Sequence, residues 1–206
     1  GIDEKPVKIF ENIEEYPGKN YYPTDLTISE FHDILFKMIE RKKFEEIKNI
    51  LSARTMVRRR EDELYGIDYT EYFAKEFSEV ANELELAAHY STSDEFNEFL
   101  SWQAQALLQN NEDMDMLADK HWAEMQFTPL EFTLSRENYD DQMTPTIFDN
   151  QELAQKLENL GIEINPKDML GARAGIVNKE GTEKLLEIKK YIEELNTLKE
   201  AAEEAN

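Results

Sequence analysis

The sequence contains no cysteine, and this absence removes several kinds of chemistry at once. Without thiols the chain can form no disulfide bond, carry no cysteine nucleophile and bind no zinc through sulfur. Because cysteine-free chains occur in both reducing and oxidising compartments, the absence does not identify the compartment.

Histidine is almost as scarce, with three residues at positions 32, 89 and 121. A common kind of metallopeptidase needs two histidines on one helix face beside a glutamate that polarises water. Each histidine here stands alone, and none is followed by Glu. His121 and Glu124 are one helical turn apart, but a single histidine beside a tryptophan is more often a packing residue. We therefore predict no metal ligands in this chain.

Other catalytic patterns are missing as well. The sequence has no Gly-x-Ser-x-Gly elbow, and "GARAG" at 171–175 is too short for a dinucleotide fingerprint. We predict no catalytic residue and no cofactor in this chain. No apolar run reaches transmembrane length, and no signal peptide is found. We expect a soluble protein and favour the cytoplasm, while export after loss of a signal stays open because Gly1 is not an initiator Met.

Positive charge is in short supply. Lys and Arg total 23 against 45 Asp and Glu, which gives a net charge of −22 at pH 7. Such a charge repels nucleic-acid phosphates and anionic lipid, so we predict neither nucleic acid nor membrane as a partner. It favours cationic ligands, such as the amino terminus of a peptide or a metal ion. The alternative is that the charge serves only to keep the protein soluble.

Helical periodicity is abundant, and 206 residues with 40% hydrophobic side chains can bury a sizeable core. A capping box at Thr27 and Glu30 opens the first helix. The sequence predicts helices at about 28–39, 43–52, 68–90, 92–108, 112–122, 149–160 and 182–204, a hairpin near 56–67, a strand at 130–136 and a short buried strand at 174–177. Thr92 with Glu95, and Asp149 with Glu152, are the expected caps of two of these helices.

The resulting fold class is mainly α with a small β component (α+β), with helices around a β-hairpin and short strands. We expect an N-terminal arm at 1–26, a helical core at 27–148 and a C-terminal part at 149–206, packed as one domain with the rest. The 182–204 helix has apolar residues three and four apart, at 185, 188, 192 and 195. This spacing is typical both of a core helix and of a helix on which a partner protein docks, so both interpretations stay open.

The stretch "FTLSRENYDDQMTP" at 132–145 is the best candidate for a site. In extended chain Glu137 and Tyr139, two residues apart, project to the same side. A carboxylate can hold an ammonium group and a phenol can donate to a carbonyl, so the pair could grip the amino-terminal end of a peptide. A solvated strand end is the alternative. Asp140 and Asp141 complete the acidic group as further candidates.

Five phrases of the sequence, in this order, resemble the dipeptidyl peptidase III family of zinc metallopeptidases, especially its bacterial branch. They are "GKNYYPTDLTISEF" (18–31), "SARTMVRRREDELYGIDYTEYFAKEF" (52–77), "LAAHYSTSDEFNEFLSWQAQALL" (86–108), "HWAEMQFTPLEFTLSRENYDDQ" (121–142) and "GARAGIVNK" (171–179). The resemblance covers 18–142, with further support to about 179.

The resemblance implies a role for the Glu-x-Tyr pair. In that family the Glu helps to bind the free amino terminus of the substrate, and the Tyr contacts the substrate backbone near the bond that is cut. Glu137 and Tyr139 match these positions. Trp122 matches a tryptophan ahead of the strand and is interpreted as structural, while Asn178, in the last phrase, is a further candidate for peptide binding.

The chain departs from the family in one large respect. The zinc motif His-Glu-x-x-Gly-His and the later acidic motif are absent, and on the resemblance both would lie beyond the last residue of this chain. Our leading hypothesis is therefore a substrate-cleft portion of a dipeptidyl peptidase III-like enzyme, inactive alone, whose partners are short peptides and a missing catalytic part that carries zinc. The alternative is a complete, non-catalytic peptide- or protein-binding module on a related scaffold.

Overall fold

The computed structural model describes residues 20–125, 128, 130–138 and 141–204. Within them lie nine helices and four strands, so the expected α+β fold with a helical majority is confirmed. In chain order the elements are α1 (Ile28–Glu40), α2 (Phe44–Leu51), β1 (Thr55–Arg60), β2 (Glu63–Asp68), α3 (Tyr69–Tyr72), α4 (Ala74–Tyr90), α5 (Asp94–Gln109), α6 (Glu112–Glu124), β3 (Leu130–Asn138), α7 (Thr146–Asp149), α8 (Gln151–Asn159), β4 (Asp168–Ile176) and α9 (Lys179–Glu204). None of the described helices combines the length and apolar character needed to span a membrane.

These elements pack into two compact units, each built from two separate stretches of chain. The first unit takes the described residues within Gly1–Tyr72 and Glu137–Met169, and the second those within Phe73–Arg136 and Leu170–Asn206. The chain therefore passes from one unit to the other three times. Most of the predicted arm at 1–26 lies outside the described residues.

The core of the first unit forms where the apolar faces of α1, α2 and α8 meet the β1–β2 hairpin. The predicted cap of α1 is confirmed, since the Thr27 hydroxyl accepts a hydrogen bond from Glu30 N at 3.2 Å. The hairpin is antiparallel, as predicted, and sets Val57 opposite Gly66. The buried side chains of this core are Tyr22, Leu26, Phe31, Ile34, Leu35, Met38, Ile47, Ile50, Leu51, Val57, Leu64, Met143, Ile147, Leu153, Leu157 and Ile162.

The single helix predicted from 68 to 90 is wrong. The chain forms α3 and α4 instead, with a break at Phe73, whose φ of −107° and ψ of 26° are not helical. The break falls where the chain leaves the first unit for the second. Because the apolar residues on either side keep a helical spacing, the sequence pattern does not reveal it.

Two predicted helix caps are wrong by one residue. Ser93, rather than Thr92, caps α5. Asn150, rather than Asp149, caps α8 through a hydrogen bond from Leu153 N at 3.2 Å. In both cases neighbouring residues are all good cap formers, so local chemistry alone does not choose between them.

The second unit contains α4, α5 and α6 together with most of β3 and β4, which form a two-stranded sheet. The strand predicted at 174–177 as short and buried is instead the nine-residue β4, and its 172–176 portion is exposed. The final helix is confirmed, but its apolar residues are exposed, with Leu185 at 68% and Ile192 at 49%. In the described structure this stripe is therefore not part of a core.

Lys167 is a deeply buried charge of the first unit, with an exposed fraction of 1%. Its Nζ donates to the carbonyl oxygens of Ile50 and Ser52, both at 2.6 Å, and to Thr55 Oγ1 at 2.9 Å. Thr55 uses its own hydroxyl hydrogen on Asn49 O, at 2.7 Å, so it can only accept from Lys167. Three acceptors thus meet the three hydrogens of one ammonium group.

Burial nevertheless works against this charge. It lowers the pKa of Lys167 to about 7, although the nearby carboxylates of Asp141 and Asp168 act in the opposite direction. An unfolded chain keeps a lysine pKa of about 10.4. The unfolded state therefore binds more protons at this residue throughout the interval between the two values, and stability must rise with pH there.

We predict that the free energy of unfolding rises by about 2 kcal/mol between pH 7 and pH 9 because of Lys167. Chemical denaturation at both pH values measures this rise, and Lys167→Met should remove it. Lys156→Met, at an exposed site on α8, is the control that should keep it. An equal rise in the Lys167→Met variant would contradict the assignment.

A second prediction concerns Gly66 in β2, whose backbone lies against α2. A Cβ atom at Gly66 would meet Asn49 O at 2.8 Å, and the same Asn49 donates from Nδ2 to Gly66 O at 3.0 Å. Gly66→Ala should therefore lower the free energy of unfolding by about 1–3 kcal/mol. Gly171→Ala is the matched control, since a Cβ there meets nothing within 4 Å. Equal stabilities of the two variants, measured by urea denaturation, would show that Gly66 is not tightly packed.

Candidate functional site

Glu137 is the penultimate residue of β3, and its side chain is partly buried. The predicted strand ended at Arg136; the observed strand continues through Glu137 to Asn138. Tyr139 and Asp140 lie outside the described residues, so their predicted roles stay predictions. Of the Glu-x-Tyr pair, the structure describes the Glu.

The residue before Glu137 is a strong anchor for the strand. The Arg136 side chain is 4% exposed and forms a short ion pair with Asp115 of α6. Its guanidinium also donates to the carbonyl oxygens of Ala106, at 3.4 and 3.5 Å, and of Leu107, at 3.4 Å, in the last turn of α5. Ala106 O also accepts from Asn110 N at 3.2 Å, and both carbonyl groups lie at the carboxyl-terminal end of a helix, which favours a cation. Arg136 therefore fixes the backbone immediately ahead of Glu137.

A second anchor lies two residues earlier. Leu134 N donates to Gln103 Oε1 at 2.8 Å, and Gln103 on α5 is 5% exposed. Phe132 and Leu134 also pack against the apolar cluster of the second unit. The part of β3 before Glu137 is thus held by both polar and apolar contacts within the second unit.

Asp141 has a structural role in the first unit. It is 1% exposed, and its Oδ1 accepts from the backbone N–H groups of Met143, at 2.9 Å, and Thr144, at 2.7 Å. Its Oδ2 accepts from Thr144 Oγ1 at 2.6 Å and from Lys167 N at 3.0 Å. Because four donors occupy this carboxylate, we do not propose Asp141 as a peptide contact.

The Asp141 network continues to the aromatic core. Because the Thr144 hydroxyl hydrogen goes to Asp141, Thr144 Oγ1 accepts from the Tyr22 hydroxyl at 2.9 Å. Burial raises the pKa of Tyr22 well above its usual value, and the charge of Asp141 adds to this effect. Tyr22 is therefore a neutral donor over the whole physiological range of pH.

Asn178 lies at the start of α9, where the sequence placed it in the last family-like phrase. Its side-chain Oδ1 accepts from Gly181 N at 3.1 Å, and its carbonyl accepts from Thr182 N at 2.9 Å. This is the geometry of a helix N-cap. The residue is exposed, and the structure tests no contact between it and a peptide.

The histidines take part in packing and in polar contacts. His121 stacks on Trp102 with ring centroids 5.4 Å apart, and His32 Nε2 lies 3.0 Å from Thr146 Oγ1. Partial burial lowers the pKa of His32. No group of three or more His, Asp and Glu that could hold a metal ion occurs within the described part of the chain.

Sequence reasoning missed a cavity of about 580 Å³ in the second unit. Its polar lining includes Asp119 of α6, Glu131 and Thr133 of β3, and Arg173 of β4. Trp122, interpreted from the sequence as structural, is 42% exposed and also lines this cavity. Glu131 and Thr133 are two residues apart on β3, so their side chains lie on the same face of the strand. The alternation of polar residues in the sequence could therefore have indicated this polar face.

Comparison with known proteins gives a likeness in fold. No protein-family model and no curated protein sequence matches the chain. Among solved structures, DPP III from Caldithrix abyssi is similar with a TM-score of 0.62 and 22% identity, over 90% of this chain and 30% of its own. Dipeptidyl-peptidase III from Corallococcus sp. strain EGB is similar with a TM-score of 0.60 and 20% identity, over the same shares of the two chains.

The chain thus spans about 30% of the length of these two structures. At such identities the likeness concerns the fold, and nine-tenths of this chain takes part in it. The fold described above is therefore like that of one part of dipeptidyl peptidase III.

Proposed function

We propose that this chain is the peptide-binding portion of a dipeptidyl peptidase III-like zinc metallopeptidase. The observation that carries the proposal is the likeness in fold to two dipeptidyl peptidase III structures, over 90% of this chain. It agrees with the order of the five sequence phrases, which lie between residues 18 and 179. The Glu-x-Tyr pair lies inside the fourth of these phrases.

Glu137 receives the amino terminus of the peptide in this proposal. Its carboxylate accepts charge-assisted hydrogen bonds from the ammonium group, which are stronger than those between neutral groups. Arg136 supports this role because its contacts with α5 and α6 fix the strand one residue earlier. The net charge of −22 adds a general attraction for a positively charged terminus.

Tyr139 contacts the peptide backbone through its phenol, which can donate to a carbonyl oxygen. Support for this role comes from the sequence, where Tyr139 stands two residues after Glu137. Asp140 and Asn178 remain candidates for further peptide contacts.

Hydrolysis is assigned to residues outside this chain. The sequence lacks His-Glu-x-x-Gly-His, and the described residues offer no group of three His, Asp and Glu that fits a zinc ion. We therefore derive no catalytic step from these residues. In the proposal, zinc and its general base belong to a separate catalytic part of a longer protein.

A second candidate function is a non-catalytic binding protein on the same scaffold, with a partner docked on α9. It is favoured by the exposure of the apolar stripe of that helix, where Leu185 is 68%, Ile188 52% and Leu195 61% exposed. In this case Ile188→Asp should abolish capture of the partner and leave binding of short peptides unchanged.

We predict that the 206-residue chain distinguishes a free peptide amino terminus from a blocked one. In calorimetric titrations, tetra-alanine should bind at least about tenfold more tightly than its N-acetylated form, since a hydrogen bond to a charged group contributes about 1.5–3 kcal/mol. Glu137→Ala should abolish the difference between the two peptides. Tyr139→Phe should weaken both peptides alike and keep the difference.

The control is Glu163→Ala, which removes a carboxylate at an exposed position of the first unit and should leave the discrimination intact. Two results would contradict the proposal. One is equal affinity of the wild-type chain for both peptides, and the other is unchanged discrimination in the Glu137→Ala variant.

A further inference from the structure

The second unit contains an apolar groove of about 580 Å³ that has no part in the function proposed above. One wall is a face of α4, formed by Val80, Leu84 and Ala87. The opposite wall is one face of β3, formed by alternate residues Leu130, Phe132 and Leu134. Phe96 and Leu100 of α5 also line the groove, and all of these residues belong to the same unit.

The groove is open because β4 presents small side chains to it. Ala172, Ala174 and Gly175 line the groove, and a Cβ at Gly175 would meet nothing within 4 Å. At the surface, Val80 and Leu130 are 39% and 49% exposed. Contiguous apolar surface of this kind, when bordered by polar residues, marks sites of interaction.

The border of the groove is acidic. Glu79 and Glu83 stand four residues apart on α4. Glu131 also approaches the groove, but by the alternation of β3 it shares the opposite face with Thr133. Among the described residues that line the groove there is no Lys, Arg or His. Glu79 lies 3.8 Å from Lys75, but both side chains are largely exposed, and such a pair contributes little and leaves the carboxylate able to accept.

We propose that this groove binds an amphipathic, basic helix of a partner protein. Val80 to Ala87 spans about 10 Å of helix, and Leu130 to Leu134 about 13 Å of strand, so the walls match about two turns of a bound helix. Apolar side chains of the partner, at positions i, i+3 or i+4 and i+7, enter the groove. Its Lys and Arg side chains pair with Glu79 and Glu83.

The test uses the full chain and a synthetic helix of about 15 residues, long enough to form several turns. Leu occupies one face of this probe and Lys the other. Fluorescence anisotropy measures its affinity against two reference peptides, one with every Lys replaced by Glu and one with the same composition in scrambled order. The basic amphipathic probe should bind at least tenfold more tightly than either reference.

Variants of the chain locate the site. Ala172→Phe should fill the groove and weaken binding of the probe at least tenfold, whereas Gly171→Leu, a neighbour on β4 that does not line the groove, should not. The double variant Glu79→Gln/Glu83→Gln should also weaken binding, while Glu163→Gln/Glu187→Gln, with the same net charge, should leave it unchanged. Thermal melting by circular dichroism checks that each variant is folded.

Equal affinity for the scrambled peptide would overturn the proposal, because attraction to the acidic surface would then explain all binding. Unchanged binding in both the Ala172→Phe and the Glu79→Gln/Glu83→Gln variants would overturn it as well. Neither result depends on Glu137, so failure of this proposal is separable from failure of peptide-terminus binding.

Discussion

The ammonium group of Lys167 ties together parts of the first unit that are far apart in the sequence. It closes the carboxyl-terminal end of α2 through Ile50 O and Ser52 O and reaches β1 through Thr55. The backbone N–H of the same residue donates to Asp141, which orders the turn at 143–144 and, through Thr144, the Tyr22 ring. A buried charge is tolerated only where its hydrogen bonds are made, so this cluster fixes the arrangement of the segments that surround it.

Local structure could be predicted from the sequence because it depends on residues that are close together in the chain. The Thr27 cap, the helical spacing of α1 and α2 and the β1–β2 hairpin are all such features, and the structure confirms them. The errors arise where distant residues decide. The break at Phe73 lies where the chain passes from one unit to the other. Each unit combines two distant stretches of chain, and no local sequence pattern predicts this.

The candidate site divides in the same way. The alternation of β3 predicted a strand that ended one residue before Glu137. The support of Arg136, in contrast, comes from Asp115 and from carbonyl groups at the end of α5, about 20 to 30 residues away. Asp141 shows that an acidic group in the sequence does not by itself identify a binding site. In the sequence it is one more acid in a dense acidic group, whereas in the structure its four donors make it a structural acceptor.

The two proposals concern two different binding surfaces of the chain. In the two proposals, Glu137 binds the charged end of a short peptide, and the groove between α4 and β3 binds a longer, basic helix. Both are acidic, in keeping with the net charge of −22. The placement of hydrolysis in another part of a longer protein belongs to the proposed function.

The mass of the native protein tests this central claim most directly. An antibody raised against this chain, used in an immunoblot of the source cells, reports the size of the protein to which these residues belong. We expect a band well above 24.2 kDa, the mass of the 206 residues. A single band at 24.2 kDa would contradict it, because these residues would then act without a catalytic part in the same chain.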